Sequence, residues 1–212
     1  MKPLERTLVA TFGFDERHVL PALRLLPYDE LVLLAGRSSL RTKGFARLRA
    51  LEPDLRAVVV DPFDLVRCLE ATCDAIVEAA RRGGSARVSV SGGTKILCAA
   101  AMLAAFQEGV EAWYCDPDPI RLPVLRGVRL EDAVSDSARL VAGLLRGERS
   151  AEELVHAAAT HGLGRVAAYQ ALKDLVRHGL ADQRLDGGEV LVRPTAGLEV
   201  HRAHFRIAAR KG

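Results

Sequence analysis

The sequence predicts an α/β chain in which a parallel sheet flanked by helices is followed by a smaller, helix-rich domain. Three observations predict it. Short β-branched or leucine-rich runs alternate with longer helical patterns over the first part of the chain. Two of those runs end in glycine-bearing turns that open helices. Beyond Asp136, capped helices give way to two extended pieces joined at Asp186-Gly187-Gly188, a hairpin turn signal.

The expected strands are Thr7–Phe12, Glu30–Ala35, Ala57–Val60, Arg87–Ser91 and Val110–Cys115. Between them the pattern predicts helices over Asp15–Leu26, Leu40–Leu51, Phe63–Arg82 and Thr94–Glu108. Leu65, Leu69, Ile76 and Val77 give the third of these one apolar face. Strict β–α alternation implies parallel strands with right-handed crossovers. With strand order 3-2-1-4-5, a ligand would bind where the order reverses, between strands one and four. Ile120–Arg129 is expected to add an edge hairpin, and the domain limit falls at 132/133, giving domains 1–132 and 133–212.

In the second domain a helix begins at Ser135-Asp136, and Ser150 with Glu153 forms a capping box for the next. Gly162 and Gly164 make a tight turn before a third helix, which Gly179 closes. Strands Ala181–Leu185 and Glu189–Val192 form a wing, and a last helix starts near Thr195. Three helices plus a wing predict a winged helix-turn-helix.

Composition narrows the function classes. The chain has 212 residues, 49% of them hydrophobic, enough for two modest cores. No run reaches the roughly 18 uncharged apolar residues of a membrane span. The start, MKPLERTLV, lacks a signal-peptide apolar region, so a cytoplasmic location and no membrane partner are expected. Cys68, Cys73, Cys98 and Cys115 form no C-x-x-C pair and are expected as buried free thiols; no metal is expected. Lys and Arg balance Asp and Glu up to Ser135, and the whole net charge of +3 lies beyond it. That mild basic excess fits a nucleic-acid partner.

Two turns carry the chemistry. In Ser91-Gly92-Gly93-Thr94-Lys95, the glycines let an anion approach a helix start whose amides and dipole favour negative charge. Lys95 adds a mobile positive charge. This is neither a Walker A loop nor G-x-G-x-x-G, so ATPase and dinucleotide readings weaken. The same turn could be an ordinary strand-to-helix connection. The second turn, Thr11-Phe12-Gly13-Phe14-Asp15, follows strand one; Asp15 is a plausible helix N-cap, and Phe14 is expected to pack rather than stack on a base.

In the third helix of the second domain, Arg165, Tyr169, Gln170, Lys173 and Arg177 are the candidate DNA contacts, with Arg184 and Arg193 on the wing. A winged helix serving only protein contacts is the alternative. The alanine-rich stretch Cys98–Ala105 suits either burial within its own domain or a two-fold dimer contact.

TFGFDERHVLPAL together with VSVSGGTK resembles the CARF domain of CRISPR-associated proteins. With the winged helix that follows, the chain resembles archaeal CRISPR-associated transcriptional regulators built as CARF plus winged helix. The resemblance implies a Rossmann-like fold and a homodimer with one pocket across its two-fold axis for a cyclic oligoadenylate, the tetra-adenylate first. It implies no other cofactor, with double-stranded DNA as the partner. Thr11–Asp15 match the family's first-strand motif and Ser91–Lys95 its second; Gly36-Arg37-Ser38 and Asp116 are kept as neighbours. Some proteins of this kind cleave the cyclic ligand without metal, and here Lys95 would stabilise charge and Thr11 position a hydroxyl. The leading expectation is a ligand-responsive DNA-binding regulator. A metal-independent ring nuclease is the alternative, and a nucleotide-sensing regulator unrelated to CRISPR is a third.

Overall fold

The computed structural model describes residues 5–123 and 134–209, with side chains described as far as Ala203. The chain divides into two compact units, Met1–Val128 and Arg129–Gly212. The expected limit at 132/133 and the far half of the expected edge hairpin lie outside the described residues.

Unit 1 is an α/β sandwich around a six-stranded sheet in the order β3-β2-β1-β4-β5-β6. Its strands are β1 (Arg6–Phe12), β2 (Glu30–Gly36), β3 (Arg56–Val60), β4 (Ser85–Ser89), β5 (Glu111–Cys115) and β6 (Pro119–Leu122). The first five are parallel, and β6 pairs antiparallel with β5 at the edge. On one face, Leu8, Ala10 and Phe12 of β1 and Leu31, Leu33 and Ala35 of β2 meet Ala22 of α1 (Leu20–Leu25) and Leu48 of α2 (Lys43–Leu51). The other face is covered by α3 (Leu65–Arg81) and α4 (Lys95–Glu108), which also pack on each other. Leu33 and Leu34 point to opposite faces, yet both are fully buried. Burial on both sides is why these strands read as continuous apolar runs rather than alternating ones.

The helix starts differ from expectation for local reasons. Pro21 lies in the first turn of α1, so the expected Asp15–Leu26 helix splits into a 3-10 turn, Glu16–His18, and α1. Thr42 caps α2, its hydroxyl accepting from the Phe45 amide at 3.2 Å, and leaves Ser39–Arg41 as a separate 3-10 turn. Asp64 caps α3 by accepting from the Arg67 amide at 3.0 Å, so Phe63 lies in a loop rather than in the helix. Strand β4 ends at Ser89, two residues early, because the Ser91 hydroxyl turns to accept from the Cys115 amide at 2.7 Å. The alanine-rich stretch is buried within its own unit: Ala100, Ala101, Ala104 and Ala105 are fully covered.

Unit 2 comprises α5 (Asp136–Leu144), β7 (Arg149–Ser150), α6 (Ala151–Ala159), α7 (Arg165–Arg177), β8 (Ala181–Asp186), β9 (Glu189–Pro194) and α8 (Ala196–Ala209). The strands form an antiparallel sheet in the order β7-β9-β8. The short β7 was not expected; it pairs Ser150 with Leu191. Half of the expected capping box is in place: Ser150 Oγ accepts from the Glu153 amide at 3.1 Å, while the Glu153 carboxylate lies 3.6 Å from Arg149 Nε. The core gathers Leu145, Leu154, Leu175 and Leu198. Buried Arg202 donates to the carbonyls of Ala142 and Leu145 at the end of α5, where a helix C-terminus favours a cation. Three of the cysteines are buried, Cys98 is half-buried, and all four are free thiols. No described helix is long and apolar enough to cross a membrane.

Candidate functional site

Strand order reverses between β1 and β4, since β2 lies on one side of β1 and β4 on the other. The loops leaving those two strands therefore meet, with no helix between them. Gly13 and Gly93 touch so closely that a Cβ on Gly13 would lie 3.1 Å from the Gly93 α-carbon. Gly93 also has φ +100, a left-handed conformation that side chains other than glycine's rarely adopt. A Cβ on Gly92 would lie 2.8 Å from the Thr11 carbonyl oxygen, so both glycines are needed for the approach. Thr94 then caps α4, accepting from the Leu97 amide at 3.1 Å while donating to the Pro62 carbonyl of the β3 loop.

These loops open on a cavity of about 350 Å³ at the carboxyl ends of the strands. The loop after β1 lines it with Phe12, Gly13, Phe14, Asp15 and His18. Ser38 and Ser39 come from the loop after β2, Pro62 and Phe63 from that after β3, and Gly93 and Thr94 from that after β4. The volume is at the low end of the ~300–1,000 Å³ range of small-molecule sites, room for about one nucleotide.

Six of the ten predicted ligand residues line this space: Phe12, Gly13, Phe14, Asp15, Gly93 and Thr94. Phe12 forms its floor, buried with its ring 6.3 Å from that of Phe45. Phe14 corrects the expectation of packing, since it is 67% exposed. Asp15 caps the 3-10 turn and is paired with Arg17, whose hydrogen bonds hold its carboxyl down at about 2. So low an acid makes a weak base. Gly92 is buried against the Thr11 carbonyl and does not line the cavity, and exposed Lys95 opens α4 outside the lining residues. Ser91 is a structural pin between β4 and β5. Thr11 is a correction: it is buried on the α3/α4 face, its hydroxyl donating to the Ser89 carbonyl at 3.3 Å and lying 3.8 Å from Cys98 Sγ. It presents no hydroxyl to the cavity.

His18, Ser39, Pro62 and Phe63 were missed. Strand-end position was the available signal for Ser39, Pro62 and Phe63, since strands two and three end at the same edge of the sheet as one and four; His18 lies six residues past β1, in the quoted motif itself. His18 has a partner of its own: Nδ1 lies 3.4 Å from Asp116 Oδ2, at the end of β5. The neighbour Asp116 thus reaches the cavity rim through His18, and Ser38 lines the cavity directly.

The sequence matches the family described as HFX_2341_N:-like, N-terminal, over residues 6–119. The chain belongs to that family. The matched segment is the sheet and helices of unit 1, up to the start of β6. No curated protein matches the sequence. Solved structures of similar fold include Can2 from Sulfobacillus thermosulfidooxidans in complex with cyclic tetra-adenylate, at 16% identity and TM-score 0.43 over 97% of this chain and 65% of that one. Protein VC1899 from Vibrio cholerae aligns at 11% identity and TM-score 0.43 over 95% of this chain and 65% of that one. A type III CRISPR defence DNA nuclease activated by cyclic oligoadenylate aligns at 20% identity and TM-score 0.46, over 84% of this chain and 31% of that one. The chain thus spans about two thirds of the length of the first two, 65% in each case.

In unit 2, α7 carries Arg165, Tyr169, Gln170, Lys173 and Arg177, and the β8–β9 hairpin carries Arg184 and Arg193. All four arginines are already paired. Arg165 lies 2.7 Å from Glu152 and 5.7 Å over the Tyr169 ring, whose hydroxyl donates to the same Glu152. Arg177 is 3.6 Å from Asp174, which also accepts from Gln170. Arg184 pairs with Glu148 and Asp186, and Arg193 with Asp182. Lys173 is exposed. Among the described residues, no three His, Cys, Asp or Glu side chains cluster as metal ligands.

Proposed function

We propose that this chain is a cytoplasmic, CRISPR-associated transcriptional regulator in which a CARF domain binds a cyclic oligoadenylate and a winged helix-turn-helix binds double-stranded DNA. The observation that carries this reading is the contact of Gly13 with Gly93 where strand order reverses. It puts the two motif loops around one cavity, next to a helix start whose amides suit a phosphate. The size of the cavity also supports a homodimer: about 350 Å³ is too small for a whole cyclic tetra-adenylate, and a two-fold axis would let two copies share one ring. Exposed Lys95 would meet phosphate outside the cavity.

Isothermal titration with the tri-, tetra- and hexa-adenylate rings tests the ligand, with the tetra-adenylate expected to bind tightest at one ring per dimer. Heat absent for every ring overturns the reading. Coupling to DNA requires different ligand affinity in the DNA-competent and incompetent states. Equal affinity with and without operator DNA would remove the regulatory half.

The His18–Asp116 pair favours a second reading, a metal-independent ring nuclease in which the winged helix serves dimerisation. Asp116 would orient the imidazole, and His18 would take the proton of a ribose 2′-hydroxyl. The 2′-oxygen attacks the adjacent phosphorus, the P–O5′ bond breaks, and the proton returns to the 5′-oxygen, leaving a 2′,3′-cyclic phosphate. Incubation of the cyclic tetra-adenylate with protein in EDTA should then yield linear products, and His18→Ala should abolish them. Intact ligand after long incubation excludes this reading.

A further inference from the structure

Two large aromatic rings stand exposed on the cavity, Phe14 at 67% and Phe63 at 71%. Single exposed apolar side chains are ordinary, but two from different loops on one cavity of this size are not scattered. Both loops are pinned. The Asp61 carboxylate accepts from the Phe63 amide at 3.0 Å, and Asp64 caps the helix directly after it. On the other side, Gly44 of α2 packs against the Phe14 carbonyl where no Cβ would fit, and Asp15 caps the turn that follows.

The Gly93-Thr94 turn lies between them. Gly93 touches Gly13, the residue before Phe14, and Thr94 donates to the carbonyl of Pro62, the residue before Phe63. An anion on the amides that open α4 therefore has an aromatic side chain on either hand. The ligand with that pair of features is a planar heteroaromatic group joined to a phosphate. Among the described lining residues the one carboxylate, Asp15, is already paired with Arg17.

We propose that Phe14 and Phe63 are the stacking surfaces for the nucleobase bound in this cavity, with its phosphate on the Gly93-Thr94 turn. This rests on the nucleotide reading above and deepens it. Stacking on an aromatic face tolerates any base, so these residues set affinity, and base identity is read by other groups.

The test is titration of cyclic tetra-adenylate into the full-length protein and its Phe14→Ala, Phe63→Ala, Phe63→Leu and Phe63→Trp variants. Each alanine should weaken binding roughly ten-fold, the scale of one lost base–aromatic stack. Leucine keeps apolar bulk without a flat π-face and should be as weak as alanine, whereas tryptophan should bind like the wild type. Melting temperatures should not move, because both rings are mostly exposed. Wild-type binding with unchanged alanine variants overturns the stacking proposal and leaves the nucleotide reading standing. Rescue by leucine, or a loss of dimer in the alanine variants, also overturns it, since the rings would then pack against protein. A wild type that binds no ring brings down both.

Discussion

The cavity of unit 1 and the surface of α7 and the β8–β9 hairpin in unit 2 are both candidate binding sites, built by different means. In unit 1 the helix start beside the cavity offers backbone amides, and the titratable side chains of the lining are Asp15 and His18. In unit 2 the surface is rich in arginine, yet Arg165, Arg177, Arg184 and Arg193 each sit beside a carboxylate. A preorganised amide cradle accepts an anion without breaking anything. A paired arginine must first leave its partner, which offsets part of each phosphate contact by up to ~1 kcal/mol. Counting basic residues therefore overstates the second surface, and counting charges understates the first.

The largest expected effect breaks the cradle. Gly93→Ala forces a side chain into a left-handed position, which costs about 1–2 kcal/mol, and its Cβ would lie 3.0 Å from Leu97 Cδ2. Urea denaturation should show that loss, and titration should show no residual binding of cyclic tetra-adenylate. Binding at wild-type affinity would mean that the two loops do not hold the ligand. Next comes Thr94→Ala, which removes the α4 cap at a cost of about 1 kcal/mol and frees the Pro62 carbonyl. Thr94→Ser should restore both stability and binding, because serine keeps the hydroxyl.

On the other surface, the exposed Lys173 and the paired Arg193 sharpen the contrast. Lys173→Ala should lower the salt dependence of DNA binding by about one unit of slope if it meets a phosphate. Arg193→Ala should change the slope less, since Asp182 already neutralises it. Equal slopes would show that the ion pair does not matter. The smallest effect is on pH. The Asp15 carboxyl is held down at about 2, below the ordinary carboxylate range, by its hydrogen bonds from Arg17. Its contribution to stability is complete above the ordinary carboxylate range and is lost as pH falls through about 2. Urea midpoints of wild type and Asp15→Asn should therefore converge below that pH.

Much of unit 1 was legible because its signals are local. Strand limits came within about two residues, since a buried parallel strand is a short apolar run whatever it pairs with. Gly13 and Gly93 were legible as a pair because the topology of alternating strands and helices dictates which loops meet. Phe63 was hidden by the expectation of a helix from that residue, until the Asp64 cap set its true start. Thr11 was misjudged because motif membership says nothing of which sheet face a side chain takes. The pairing of Arg184 with Glu148, 36 residues away, leaves no trace in spacing.

What the sequence determined by itself was the long strands and helices and the backbone chemistry of the turns, because periodicity, caps and glycine act over a few residues. Tertiary structure alone decided which side chains meet: Phe14 with Phe63 on the cavity, Asp116 against His18 at its rim, and Thr11 turned to Ser89 and Cys98 instead. Those neighbours come from loops on separate strands, and only the order in which the strands hydrogen-bond brings them within reach.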